Sequence, residues 1–203
     1  MSLLKRIKNQ FVSLVYANHN QGAAIQRALG SCIDGMGPSG VGLNVGAGGT
    51  KLDPRIKNLD LAPGEHIDYV CDATAIPVPD DSFDLIVSQE TLEHVADPWK
   101  VMAEMHRVLK PGGKIYCQLP FVIGYHPGPT DFWRFSKEGI QQLVEQSGFK
   151  TEEIGIPSVA GPDSTASAWN TFRSCHRLLC RRSTSFSKVS SRWCFIRSNG
   201  SMV

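Results

Sequence analysis

Residues 41–50, VGLNVGAGGT, set the first constraint on the fold. Val41, Leu43 and Val45 are apolar in an extended run, and Gly46, Gly48 and Gly49 then strip side chains from the turn that follows. A strand running into a glycine-rich turn and then a helix lets backbone approach a ligand closely. The rest of the chain shows whether it has the strands and helices to build a sheet around that turn.

Downstream, extended runs alternate with helical patterns. IKNLDL ends near Asp60, HIDYVC near Asp72, and FDLIVSQ, GKIYCQLP and FKTEEIGI follow as a fourth, fifth and sixth strand. DPWKVMAEMHRVLK opens on an Asp cap with Pro at the first turn and is expected to stop at Pro111-Gly112-Gly113. SKEGIQQLVEQSG runs from Ser136 to a Gly148 stop. Upstream, Leu3, Leu4, Ile7, Phe11, Leu14 and Val15 form one helical stripe, and a second helix is expected from Gln21 to Leu29, with SCIDGMGPSG as a loop. Alternating strands and helices predict an α/β, doubly wound, mostly parallel sheet.

With 203 residues, 41% hydrophobic and 20% charged, the chain suffices for one well-buried domain. The net charge of +2 hides an asymmetry: no acidic residue follows Asp163, whereas seven Lys or Arg do, among ten serines. The scattered six cysteines contain no C-x-x-C pair, and a reducing, cytoplasmic setting without a disulfide framework is expected. No apolar stretch approaches the ~20 residues of a membrane span, and no signal peptide is expected.

The glycines fit no phosphate-binding fingerprint. Thr50-Lys51 stands in the wrong order and register for a P-loop, and Lys51 occupies the third position of a dinucleotide G-x-G-x-x-G. The stretch DYVCDATAIPVPDDSFDLIVSQETLEHVADPWKVMAEMHRVLKPGGKIYCQLP instead resembles the class I S-adenosylmethionine (AdoMet)-dependent methyltransferases of the small bacterial type. CDATAIPVPDDSFD, SQETLEHVADP and RVLKPGGKI carry the likeness, which runs from about Val41 to about Ile156.

The resemblance implies a Rossmann-like methyltransferase sheet and AdoMet as cofactor. It assigns Gly46, Ala47 and Gly48 to the turn at the methionine part, Asp60 to the ribose, Asp72 and Ala73 to the adenine edge, and Gln89 to the methionine end. Asn44 stands where the family usually has an acid, and an amide there can still orient backbone. The alternative for Asp60 and Asp72 is a strand-end capping role.

The loop PFVIGYHPGPTDFWRFS leaves the strand edge beside the cofactor and resembles the acceptor loop of a subgroup that often accompanies glycan and lipid biosynthesis. His126 is the base candidate with Asp131 as rival or partner, Arg134 could anchor an acidic acceptor, and Tyr125 and Trp133 could contact it. Trp133, Phe132 and Phe135 could equally pack on the sheet, and His94 reads as a packed residue.

The expected organisation is a methyltransferase domain over 1–160, with a helical cap over about 1–30, and a basic, Ser-rich tail over 161–203. The class normally closes with an antiparallel seventh strand, for which SRWCFIRS is the candidate; otherwise the tail reads as disordered or as an aberrant end. Cys175, His176 and Cys180 make a poor metal site, and no metal is expected. The expected function is methyl transfer from AdoMet to a small-molecule, glycan or lipid-precursor acceptor. Its alternatives are an AdoMet-binding module without turnover and a nucleic-acid-associated enzyme using the tail. The N-terminal helix has membrane-surface contact as its alternative reading.

Overall fold

A computed structural model describes residues 23–155 and 175–182. In chain order the elements are α1 (Ala23–Gly35), β1 (Gly42–Val45), β2 (Ile56–Asp60), β3 (Tyr69–Val70), β4 (Phe83–Gln89), a 3₁₀ turn (Leu92–His94), α2 (Pro98–Val108), β5 (Leu109–Pro120), α3 (Lys137–Gln146), β6 (Phe149–Gly155) and β7 (Cys175–Arg182). One sheet holds all seven strands in the order β3-β2-β1-β4-β5-β7-β6. The first five strands in that row pair in parallel, and β7 runs antiparallel between β5 and β6.

The sheet is covered on both faces, so consecutive residues of its central strands are buried, as are Leu85, Ile86 and Val87 of β4. Along β4, Ile86 faces a core shared with Met102, Met105, Ile140 and Val144 of α2 and α3. Leu85 and Val87 point the other way, against Leu29 and Cys32 of α1 and Tyr116 of β5. In α2, Asp97 accepts the Lys100 N–H at the N-terminus, and Val101, Met102, Met105 and Val108 form the buried stripe. In α3, Ser136 accepts the Gly139 N–H, and Ile140, Leu143 and Val144 are buried.

Three boundaries differ from the sequence expectation. The loop expected from Ser31 is helical to Gly35, passing through Gly30. Cys32, on the turn beyond that glycine, is buried in the α1 face core with Ile33 packed against it. That packing offsets the roughly 1 kcal/mol a mid-helix glycine costs. Pro111-Gly112-Gly113 does not separate α2 from β5: the helix ends at Val108, and Leu109 already pairs with Phe83. The ladder resumes at Leu85↔Lys114, so residues 110–113 bulge outward, as a proline without an N–H would require.

The third difference concerns the tail. The seventh strand is CHRLLCRR, not SRWCFIRS, which lies outside the described residues. Leu178 and Cys180 are fully buried in the α2–α3 core, and Leu179 packs on the opposite face. The arginines between them meet acids: Arg181 lies 2.9 Å from Glu152, Arg177 pairs with Glu153, and Arg182 with Asp81. This stretch of the basic segment is therefore matched in charge to β6 and to the turn before β4. The helix expected over residues 3–16 also lies outside the described residues. Among the described residues, Cys32, Cys71, Cys117 and Cys180 are free thiols, and no helix is long and apolar enough to cross a membrane.

Candidate active site

The carboxyl ends of β1, β2 and β4 meet at the glycine turn. Gly46 has φ +71° and Gly48 φ +54°, conformations an L side chain rarely adopts. Gly46 also has no room: a Cβ there would overlap the Thr91 side chain, whose hydroxyl shares its one hydrogen between the Val45 and Gln89 carbonyls. A Cβ on Gly48 would meet nothing within 4 Å. The first glycine therefore serves packing, and the second leaves the rim of the turn open.

The N–H groups of this turn are engaged internally. Those of Gly46 and Ala47 donate to the Leu59 carbonyl at 2.9 and 3.1 Å, that of Thr50 to Ala47, and that of Gly48 to Asp60 Oδ2 at 2.8 Å. A phosphate cradle needs such N–H groups pointing at the anion. This turn instead offers close backbone approach, which fits a ligand without phosphate. Asp60, half-buried at the end of β2, also accepts the Ala62 N–H at 3.0 Å. Each carboxylate oxygen can accept a further bond, so a diol can still be held. Asn44 is buried within the sheet, and its amide donates to Asn58 Oδ1 and the Thr50 carbonyl. It ties β1 to β2 and to the loop after the turn.

Asp72 is exposed just past β3, and hydrogen bonds from Thr74 hold its carboxyl below its ordinary value. Ala73 is half-buried against the core. Arg107, which sequence reasoning overlooked, pins the loop that follows: it donates to the Ile76 and Val78 carbonyls and to Asp80, each at 2.8 Å. Glu104 accepts the Ile76 N–H at 2.9 Å and pairs with Arg107. Gln89 ends β4 and donates to Gln118 Oε1 on β5 at 3.2 Å, and Glu90 turns the chain with φ +54°.

The loop after β5 folds back on the turn after β4. Phe132 and Trp133 donate their N–H groups to the Glu93 carbonyl, and Thr130 Oγ1 donates to that of His94. Asp131 and Arg134, expected to face an acceptor, bind each other through two contacts of 2.5 and 2.7 Å. Asp131 is 1% exposed at its side chain, also accepts the His126 N–H, and is held well below the usual carboxylate range by the guanidinium. Arg134 reaches the Ile123, Gly124 and Trp133 carbonyls as well, so the pair clamps the loop. Trp133 donates to the Val95 carbonyl and packs between Trp99 and Phe135. Tyr125 stands 79% exposed.

His126 turns inward, towards Glu93 and His94. Glu93 is fully buried, both its oxygens and His126 Nε2 lack hydrogen-bond partners among the described residues, and burial pushes the Glu93 carboxyl up to about 8. Sequence reasoning passed over Glu93; its signal was an acid between Leu92 and His94, directly after a strand end.

Residues 43–117 match the methyltransferase domain family model. The demethylmenaquinone methyltransferase of Clavibacter sepedonicus is 33% identical over 114 residues, covering 54% of this chain and 46% of that protein's length. The chain thus spans less than half of that relative. Among solved structures, the 1,6-didemethyltoxoflavin N1-methyltransferase of Burkholderia thailandensis, with bound 1,6-didemethyltoxoflavin and S-adenosylhomocysteine, superposes with TM-score 0.63 at 15% identity, over 89% of this chain and 88% of that one. The [4+2]-cyclase SpnF superposes at 0.60 with 17% identity, over 82% and 86%. At such identities the superpositions establish the fold alone, and a cyclase among them shows that this fold does not dictate one reaction. The strand order, the turn suited to a ligand without phosphate and the methyltransferase-domain match over residues 43–117 converge on a class I, Rossmann-like methyltransferase fold.

Proposed function

We propose that the domain transfers a methyl group from AdoMet to a small-molecule acceptor with an apolar ring, a demethylated quinone being the first candidate. The observation that carries the acceptor class is the apolar rim of the loop after β5: Phe121 is 41% exposed, Val122 38%, Phe132 53% and Tyr125 79%. Water-facing aromatic side chains at the sheet's carboxyl edge suit a flat apolar ring better than a glycan. The demethylmenaquinone relative supports the same class.

The turn Gly46–Gly48, Asp60, Asp72, Ala73 and Gln89 would hold the cofactor. When bound, it supplies an electrophilic methyl on a sulfonium. The chain's task is then alignment, with the Asp131–Arg134 clamp fixing the loop over the site. Any proton lost by the acceptor falls to the group formed by Glu93, His94 and His126. Asp131 acts on His126 by position rather than as a base, since its own carboxylate is committed to Arg134.

The experiment is calorimetric titration with AdoMet and NAD, followed by transfer of isotope-labelled methyl to demethylated quinones, glycan precursors and lipid precursors. Binding of AdoMet but not NAD, with label on the quinone, is the expected result. Label on a glycan precursor alone refutes the acceptor class, and AdoMet binding with no labelled product refutes turnover.

A further inference from the structure

We propose that Glu93, His94 and His126 bind one divalent transition-metal ion beneath the acceptor loop. The three side chains offer a carboxylate oxygen and two imidazole nitrogens, all within 4.8 Å of one another. Glu93 Oε1 lies 3.5 Å from His94 Nε2 and 3.7 Å from His126 Nε2. An ion about 2.0–2.2 Å from each ligand atom needs those atoms roughly 3.0–3.6 Å apart. The two carboxylate–imidazole distances stand within about a tenth of an ångström of that range, and the two imidazole nitrogens lie within 4.8 Å of each other.

The same distances are too long for hydrogen bonds, so the three groups do not satisfy one another. Among the described residues Glu93 is fully buried with neither oxygen hydrogen-bonded, and His126 Nε2 is a buried nitrogen without a hydrogen-bond partner. Buried, unpaired groups of this kind are costly unless a cation or proton meets them. The contact outside His94 suits a cation. His94 Nδ1 lies 2.5 Å from the Thr130 carbonyl, and His126 Nδ1 lies 3.1 Å from the Gly124 carbonyl. A carbonyl oxygen only accepts, so His94 Nδ1 carries the hydrogen and its Nε2 presents a lone pair; His126 Nδ1 also lies 3.2 Å from Arg134 Nη2, which only donates, so the ion itself would select the His126 tautomer with Nε2 free. Backbone carbonyls holding the far nitrogen are how ligating histidines are oriented in metal sites.

Two imidazoles and one carboxylate with open positions suit zinc, manganese or iron(II). The site also stands next to the cofactor turn: Thr91, two residues before Glu93, is the residue that closes over Gly46. An open coordination position would take an oxygen of the acceptor, and with both Nε2 lone pairs on the ion the second Glu93 oxygen remains to receive its proton. That role rests on the methyl-transfer reading, whereas binding of the ion does not. The expectation of a metal-free domain had weighed the Cys175, His176 and Cys180 cluster and not these residues.

The test uses the full chain, treated with chelator and desalted. Titration calorimetry with Zn²⁺ and with Mn²⁺, and visible absorption with Co²⁺ as the probe, should each show one saturable site per chain. Glu93→Gln and His94→Ala should each weaken binding at least about 10–100-fold, the range that even supporting residues of metal sites reach. His126→Gln should do the same while its metal-free unfolding midpoint stays near the parent's. Absence of saturable binding in the parent overturns the proposal. So does parent-like binding in the His94→Ala/His126→Ala double variant, which would move the ion elsewhere. AdoMet affinity is measured in parallel on metal-free protein. AdoMet bound with no ion refutes the metal site alone, and an ion bound with no AdoMet refutes the methyl-transfer reading alone.

Discussion

Gly46→Ala and Gly48→Ala look alike in sequence and should behave differently. Both put an alanine where φ is positive, +71° and +54°, which costs about 1–2 kcal/mol. At Gly48 the new methyl meets nothing within 4 Å, so that strain is the whole cost. At Gly46 the methyl falls on the Thr91 side chain, which must rotate away from the Val45 and Gln89 carbonyls it contacts at 3.1 and 3.2 Å. The hydroxyl has one hydrogen to share between them, so disrupting this contact adds roughly 0.5–1.5 kcal/mol, for a total of roughly 1.5–3.5 kcal/mol. At about 2–4 °C per kcal/mol for a chain of this size, Gly46→Ala should lower Tm by roughly 3–14 °C and Gly48→Ala by roughly 2–8 °C. The assay is thermal unfolding followed by circular dichroism, with urea midpoints as a second measure. The decisive addition is Gly46→Ala combined with Thr91→Gly, which removes the colliding side chain. Its loss should be smaller than the sum of the two single losses by about 1 kcal/mol or more. Equal losses at the two glycines, or strict additivity with Thr91→Gly, would refute the packing argument.

Two further outcomes follow from the site. Asp60→Ala should weaken AdoMet binding by roughly 1.5–3 kcal/mol per ribose bond lost; calorimetry that gives parent-like affinity would reduce Asp60 to a tether for the Gly48 and Ala62 N–H groups. Glu104 is held below its ordinary value of 4.5 by its hydrogen bond from Arg107. A depressed folded-state value means that this stabilisation is full above about pH 4.5 and is lost as pH falls below it. Urea midpoints of Glu104→Gln should therefore fall less steeply on acidification than the parent's, and parallel slopes would show that the Glu104–Arg107 pair carries no linkage.

The strand from Phe83 to Gln89, the glycine turn and the two helices with their Asp97 and Ser136 caps were legible in the sequence, because each is specified locally. Apolar runs, a capping side chain and a missing Cβ act within a few residues of themselves. The end of α1 and the bulge at Lys110–Gly113 were not legible, since each is decided by a partner far away: Tyr116 and Val87 for the helix, Phe83 for Leu109. β7 shows the same limit more sharply. CHRLLCRR reads as a basic tail until Glu152, Glu153 and Asp81 stand opposite its arginines and the α2–α3 core receives Leu178 and Cys180. At the site, residue types placed His126, Asp131 and Arg134 in one loop, but only the folded chain pairs Arg134 with Asp131 and turns His126 to Glu93 and His94. A loop's sequence states which groups it carries. Which of them face solvent and which face each other is settled by burial, as the loop closes on the turn after β4.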